Sequence, residues 1–178
     1  WKISFFLGNK LFSDTINKFN LLLLYMSYKG IYRPSNPKKY KGDSQNIIYR
    51  SLWERKFMNY CDLNENILEW ASEEFFIPYR DPTTNRVRRY FPDFFIKYKD
   101  KTGDIRRSVI EVKPMRETLE PKQTKGKSRK TMINESITYV RNQAKWKAAR
   151  EFCDDRKLEF KIMTEKELGI RWVFYKPY

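Results

Sequence analysis

The 178-residue chain contains no histidine, and that gap removes several mechanisms at once. Ser-His-Asp and Cys-His catalysis, histidine-ligated nuclease centres and two-histidine zinc sites all need an imidazole as base or ligand. Hydrolytic work is left to carboxylates, lysine, tyrosine and oxygen-ligated metal ions. Cysteine is scarce too: Cys61 and Cys153 stand far apart with no C-x-x-C spacing. Both therefore read as reduced core thiols, not as metal ligands or a disulfide framework. Long apolar runs are also missing. The longest, Leu21 to Met26, is six residues, against the roughly 20 that a membrane-spanning helix needs. The expectation is a soluble, cytoplasmic protein with no membrane partner.

What the chain has in excess is positive charge and aromatic rings. Lysine and arginine number 37 against 22 acidic residues, a formal charge of +15, which self-repels unless an anionic partner is close by. Nucleic acid is the expected partner. Aromatic residues make up 17%, enough to build a packed core and to exclude a disordered linker. The length fits one domain rather than two.

Residues 1–25 begin at Trp1 and mix Phe and Leu with Lys10, Asp14 and Lys18. No small-residue cleavage site follows the short apolar stretch, so the segment does not read as a signal peptide. It reads as an extension outside the core, translated from upstream sequence, with a genuine N-terminal helix as the alternative; residues 26–178 form the single domain. Ser27 to Asp43, punctuated by Gly30, Pro34, Pro37 and Gly42, predicts an extended basic arm without regular structure.

A helix is expected over Ser44–Asn64, capped by Asp43 or Ser44, with Leu52, Trp53, Phe57, Tyr60 and Cys61 at helical spacing. Phe75–Tyr79 and Arg88–Tyr98 read as strands of a hairpin joined by the turn-forming Asp81-Pro82-Thr83-Thr84-Asn85. Arg107–Lys113 is a third strand. Pro114 then opens a mobile basic loop to Lys130, and a second helix follows from about Met132 to Asp154. Its apolar stripe is read as Ile137, Val140, Ala144, Ala148 and Phe152, and a short strand, Leu158–Met163, closes the domain. Helix, strands, helix, strand in that order suit an α/β sandwich around a mixed central sheet flanked by helices.

The most informative stretch is Phe91-Pro92-Asp93-Phe94-Phe95, followed eighteen residues after Asp93 by Glu111-Val112-Lys113. Alternate side chains of a strand share a face, so Glu111 and Lys113 point together while Ile110 and Val112 enter the opposite layer. Charges in so apolar a strand need a partner, because an unpaired buried charge is costly. The two could simply neutralise each other. With Asp93 on a neighbouring strand, however, Glu111 would offer carboxylate oxygens to one hard cation, the usual protein share of a magnesium site. Glu54 falls beside Phe57 and between Met58 and Cys61 on the buried face of the first helix, with Arg55, Asn59 and Asp62 placed opposite. A carboxylate among core residues is uncommon and points to a site.

The segments Ser51-Leu52-Trp53-Glu54, Tyr90-Phe91-Pro92-Asp93-Phe94 and Ile110-Glu111-Val112-Lys113-Pro114, with Ile162-Met163-Thr164-Glu165 at a strand end, resemble the PD-(D/E)xK nuclease superfamily, and within it TnsA-like transposon-end nucleases. A closer likeness runs over about residues 26 to 170. Ser27-Tyr28-Lys29-Gly30, Asn36-Pro37-Lys38-Lys39-Tyr40, Ile48 to Met58 and Trp70-Ala71-Ser72-Glu73-Glu74 are similar to the head-completion nucleases of T-even-type tailed phages.

The resemblance implies a restriction-endonuclease-like fold and a Mg²⁺-dependent DNA endonuclease, with Mn²⁺ able to substitute. It implies catalytic roles for Glu54, Asp93, Glu111 and Lys113. Asp93 and Glu111 would ligate the metal with a main-chain carbonyl near Val112, and Glu54 would hold it directly or through water. Lys113 would position or help deprotonate the attacking water. Glu73 and Gln143 are weaker candidates, read as structural. Backbone contacts to DNA are expected from Lys38, Lys39 and Lys41, from Arg86, Arg88 and Arg89, and from Arg116, Lys122, Lys125, Lys127, Arg129 and Lys130. A phage role adds head or portal components as partners, and the infected cell or the virion as location. The competing readings are a non-catalytic DNA-binding head component and a transposon-end or repair nuclease.

Overall fold

The computed structural model describes residues 28–169; the extension read into residues 1–25, and its boundary with the domain, lie outside them. A four-stranded sheet runs through the centre. Its strands are β3 (Ile67–Ser72), β6 (Phe94–Lys99), β7 (Ile105–Val112) and β8 (Glu159–Met163), in the order β3-β6-β7-β8. The first three pair antiparallel, and β8 lies parallel to β7. A parallel pair needs a crossover, which the long helix α2 (Arg129–Asp155) supplies.

One face of the sheet is covered by helix α1 (Leu52–Leu63) and the hairpin of β1 (Gly30–Tyr32) and β2 (Ile47–Tyr49). Trp53, Phe57, Met58 and Cys61 of α1 meet Trp70, Phe94, Ile96, Ile110 and Val112 of the sheet. Phe57 and Phe94 pack at 4.8 Å between ring centroids. Burial of each such side chain contributes roughly 1.5–3 kcal/mol. The opposite face carries α2 and a second hairpin, β4 (Ile77–Asp81) with β5 (Arg86–Tyr90), around Ile77, Tyr79, Tyr90 and Ala149. Both cysteines are buried and free. Among the described residues no helix is long and apolar enough to cross a membrane.

Several expectations are corrected. Helix α1 begins at Leu52, not Ser44, because Ser51 is its cap, and Ile47 to Tyr49 alternate buried, exposed, buried as a strand. The supposed loose arm is part of the fold: β1 pairs with β2, and Tyr32 and Tyr40 are buried. Arg88–Tyr98 is not one strand. Proline at position 92 has no N–H for a ladder, and the chain leaves β5 there to enter the central sheet as β6.

The hairpin turn itself is where it was expected, with Asn85 in the left-handed region at φ 56° and donating to the Asp81 carbonyl at 2.7 Å. The loop after Pro114 contains a helical turn, Met115–Thr118. The buried side of α2 is Asn142, Trp146, Ala149 and Cys153, flanked by Ala144, Ala148 and Phe152, whereas Val140 faces solvent.

The largest correction concerns Asp62, which was assigned to the solvent side of α1 and is fully buried. Its carboxylate accepts from the backbone N–H of Ser35 at 2.6 Å and of Asn36 at 2.9 Å, and from the Tyr32 hydroxyl at 3.2 Å. Lys39 donates to the carbonyls of Asp62 and Asn64 at 3.0 and 2.8 Å. One acid near the end of α1 thus ties down the segment from β1 to the 3-10 turn Pro37–Lys39. Asp62→Ala would leave these buried donors unpaired and should lower stability by about 3 kcal/mol or more, with Asp62→Asn costing less. Urea denaturation of the three proteins measures the difference.

Candidate active site

All four acid and base residues singled out in the sequence line one open cleft of about 430 Å³, joined there by Glu73, Arg50, Tyr90 and Lys145. Strand β7 delivers Glu111 to the α2 side of the sheet, while Ile110 and Val112 enter the α1 core. Glu111 is only 3% exposed. One of its oxygens accepts from the Tyr90 hydroxyl at 2.7 Å, and the other lies 3.4 Å from the Lys113 ammonium. Asp93, just ahead of β6, accepts from the Val112 N–H at 2.7 Å, which fastens the Pro92-Asp93 corner to the end of β7.

Glu54 reaches the cleft from the first turn of α1. Ser51 accepts from the Glu54 N–H at 3.1 Å, while the Glu54 carboxylate accepts from the Ser51 hydroxyl at 2.9 Å and the Arg50 N–H at 2.7 Å. This is a variant of the capping box written by Ser-x-x-Glu, so Glu54 has a structural task beside any chemical one. Helix start and cleft acid coincide in one residue.

The electrostatics are dominated by negative groups held out of water. Asp93 keeps some surface toward the cleft but is packed elsewhere; burial, then the charge of Glu111, lift its carboxyl well above the ordinary range, with Lys113 only partly offsetting them. Burial also raises Glu54, against its bonds from Arg50 and Ser51. Burial alone would push Lys113 toward neutrality, yet Glu111, Asp93 and Glu117 together hold it above the usual lysine range.

Among the described residues no three acidic, cysteine or histidine side chains converge as a ready-made metal cage. The donor set still suits Mg²⁺, which takes one or two carboxylates and keeps its waters. A carboxyl raised by burial and by the charge of Glu111, as Asp93 is, is what a dication would relieve.

Sequence reasoning missed Lys145. It comes from α2, its ammonium lies 5.6 Å from the Tyr90 ring centroid and 6.0 Å from that of Tyr79, and burial followed by repulsion from Lys113 depresses it, against the pull of Glu111. The available signal was its place beside Trp146 and four residues before Ala149, a cation near the buried stripe. Arg50 was missed as well; it grips Glu73 with two bonds of 3.1 and 2.7 Å. Glu73 sits in the left-handed region at φ 54°, a strained setting for a non-glycine residue. Gln143 is not among the cleft-lining side chains.

Of the twelve basic residues expected on DNA, Arg89 lines the cleft. Others are engaged inside the molecule. Lys39 serves the Asp62 network described above, Lys41 lies 3.8 Å from Glu69, Arg88 3.0 Å from Asp81 and Lys127 2.8 Å from Glu135. Lys38, Arg86, Arg116, Lys122, Lys125, Arg129 and Lys130 are exposed and line no wall of the cleft.

Mixed sheet, flanking helices and a carboxylate-lysine cleft at the end of the β6–β7 pair define a nuclease of the restriction-endonuclease-like fold. The chain belongs to the TnsA-like endonuclease N-terminal family, whose profile matches residues 64–165. The match includes Asp93, Glu111 and Lys113 and begins after Glu54. A relative, the head completion nuclease of Enterobacteria phage T4, is 38% identical over 154 residues, covering 85% of this chain and 99% of that protein.

Two stability measurements follow. Ser51→Ala should cost about 1 kcal/mol through loss of the cap, whereas Glu54→Gln retains an acceptor for Arg50 and should melt close to wild type while losing activity. Because the Asp93 pKa is raised in the folded protein, its ionisation removes stability as pH rises through that raised value. In EDTA, Asp93→Asn should therefore melt above wild type at neutral pH, and the gap should close as pH falls below about 3.9, the unperturbed aspartate value. Calorimetry across pH tests both.

Proposed function

We propose that the cleft hydrolyses phosphodiester bonds of DNA with the help of Mg²⁺, for which Mn²⁺ can substitute. The observation that carries this reading is Asp93 and Glu111 side by side in one cleft with Lys113. Asp93, Glu111 and the carbonyl of Val112 would hold the cation, with Glu54 acting directly or through water. When bound, it supplies charge neutralisation at the phosphate and a water of lowered pKa.

The protein's own groups do the rest. Glu111 holds Lys113 as a charged donor, suited to orient the attacking water and to offset phosphorane charge. Tyr90 fixes the Glu111 carboxylate, and Lys145 from α2 adds a second cation to the cleft. Arg50, released from Glu73 by an incoming phosphate, would grip the backbone of the substrate. Exposed basic residues outside the cleft contribute sequence-independent attraction, so low sequence specificity is expected.

The relative from Enterobacteria phage T4 is a head completion nuclease, and a role in head completion, in contact with head or portal components, is proposed here for this chain. The set of four cleft residues favours this reading over a DNA-binding component without activity. Purified protein should nick supercoiled plasmid in Mg²⁺ and not in EDTA. Asp93→Ala and Lys113→Ala should fall by at least about 100-fold while remaining folded. Lys145→Ala should lose roughly 10-fold or more in kcat, with partial rescue by Lys145→Arg. Wild-type rates in Asp93→Ala or Lys113→Ala would remove this cleft as the site of the chemistry.

A further inference from the structure

The β4–β5 hairpin has two faces of opposite chemistry. Ile77, Tyr79 and Asp81, with Tyr90 opposite Ile77 in the register, are buried on its inner side. On the outer side Phe76, Pro78, Val87, Arg88, Arg89 and Phe91 line a shallow depression of about 550 Å³. Phe76, Val87 and Phe91 are 47%, 68% and 42% exposed. An outward strand face ordinarily carries polar residues, and clustered exposed apolar side chains mark a contact surface.

Two details say what is contacted. The Phe76 and Phe91 rings lie 5.9 Å apart at 52°, and the Arg89 guanidinium sits 5.6 Å from the Phe76 centroid. Arg88 is spent on Asp81, but Arg89 forms no ion pair among the described residues. The depression also shares a wall with the active cleft, since Arg89 and Phe91 line both. Phe91 stands two residues before Asp93, at most about 7 Å of backbone, and stacked nucleotides advance about 3.4 Å per step.

Resting on the nuclease reading above, we infer that this face receives an unpaired nucleobase of the substrate strand, stacked on Phe91, with Arg89 on an adjoining phosphate. The substrate class is then DNA with an unpaired nucleotide within about two steps of the scissile bond, as at a fork, flap or gap. A base inside a duplex is already stacked on both sides and offers no ring face to Phe91. A splayed base does, whatever its identity, because every base has a π-face. An aromatic pair beside an arginine with no ion pair among the described residues suits that ligand better than an apolar protein surface.

Two readouts test this. In EDTA, forked DNA with 2-aminopurine at its first unpaired position should lose fluorescence on binding wild type and Phe91→Tyr. Phe91→Ala should bind without that quenching, and Phe91→Leu substitutes for it should the alanine protein fail to fold. In Mg²⁺, the ratio of forked to fully paired cleavage should drop about 10- to 100-fold in Phe91→Ala, and less in Phe76→Ala. Unchanged quenching, or an unchanged cleavage ratio, overturns the base site and leaves the face to a protein partner. Quenching that depends on Phe91, without cleavage of any DNA by wild type, supports the base site and removes the catalytic reading instead.

Discussion

Acidic groups forced together out of water are the constraint around which this fold is organised. Asp93 and Glu111 sit on adjacent chain segments; burial and then the charge of Glu111 raise the cost of ionising Asp93, and Lys113 only partly offsets them. Such an arrangement persists only where surrounding structure dictates it. Here a backbone amide holds Asp93, a tyrosine hydroxyl holds Glu111 and a helix cap holds Glu54. The cleft is costly as it stands, and the proposed cation and phosphate would relieve that cost.

The two layers divide the labour. The α1 side is a dense aromatic core with Trp53, Trp70 and Phe94 fully or almost fully buried, and it fixes the edge from which Glu54 projects. The α2 side has the smaller buried cluster, around Ile77, Tyr79, Tyr90 and Ala149, and there Tyr90 and Lys145 meet the cleft. Strand β7 serves both layers through alternation alone, sending Ile110 and Val112 into the α1 core and Glu111 to the cleft.

Much of the site could be read from residues. Period-two alternation placed Glu111 opposite Ile110 and Val112, and the carboxylate-lysine spacing survived folding intact. The long helix, the closing strand and the Asp81–Asn85 turn were legible because their signals are local. What failed was non-local. Nothing near Asp62 announces that Ser35 and Asn36 will donate to it from over twenty residues away, so a helical-wheel argument sent it to solvent. Tyr32 and Tyr40 looked like arm residues amid glycine and proline, until pairing with β2 and contact with Trp70 brought them inside. Lys145 was hidden because its mark lay only in its neighbours, Trp146 and Ala149, on a helix otherwise rich in charge.

The Asp62 anchorage has a mechanical side. Asp62 and Glu54 occupy the two ends of one stiff rod, eight residues or roughly 12 Å apart along the axis. A pivot of about 5° at the anchored end swings the other by roughly 1 Å, enough by itself to cost about 100-fold in a reaction that depends on placement. Damage to the knot around Ser35 and Asn36, far from any scissile phosphate, can therefore silence the enzyme without unfolding it.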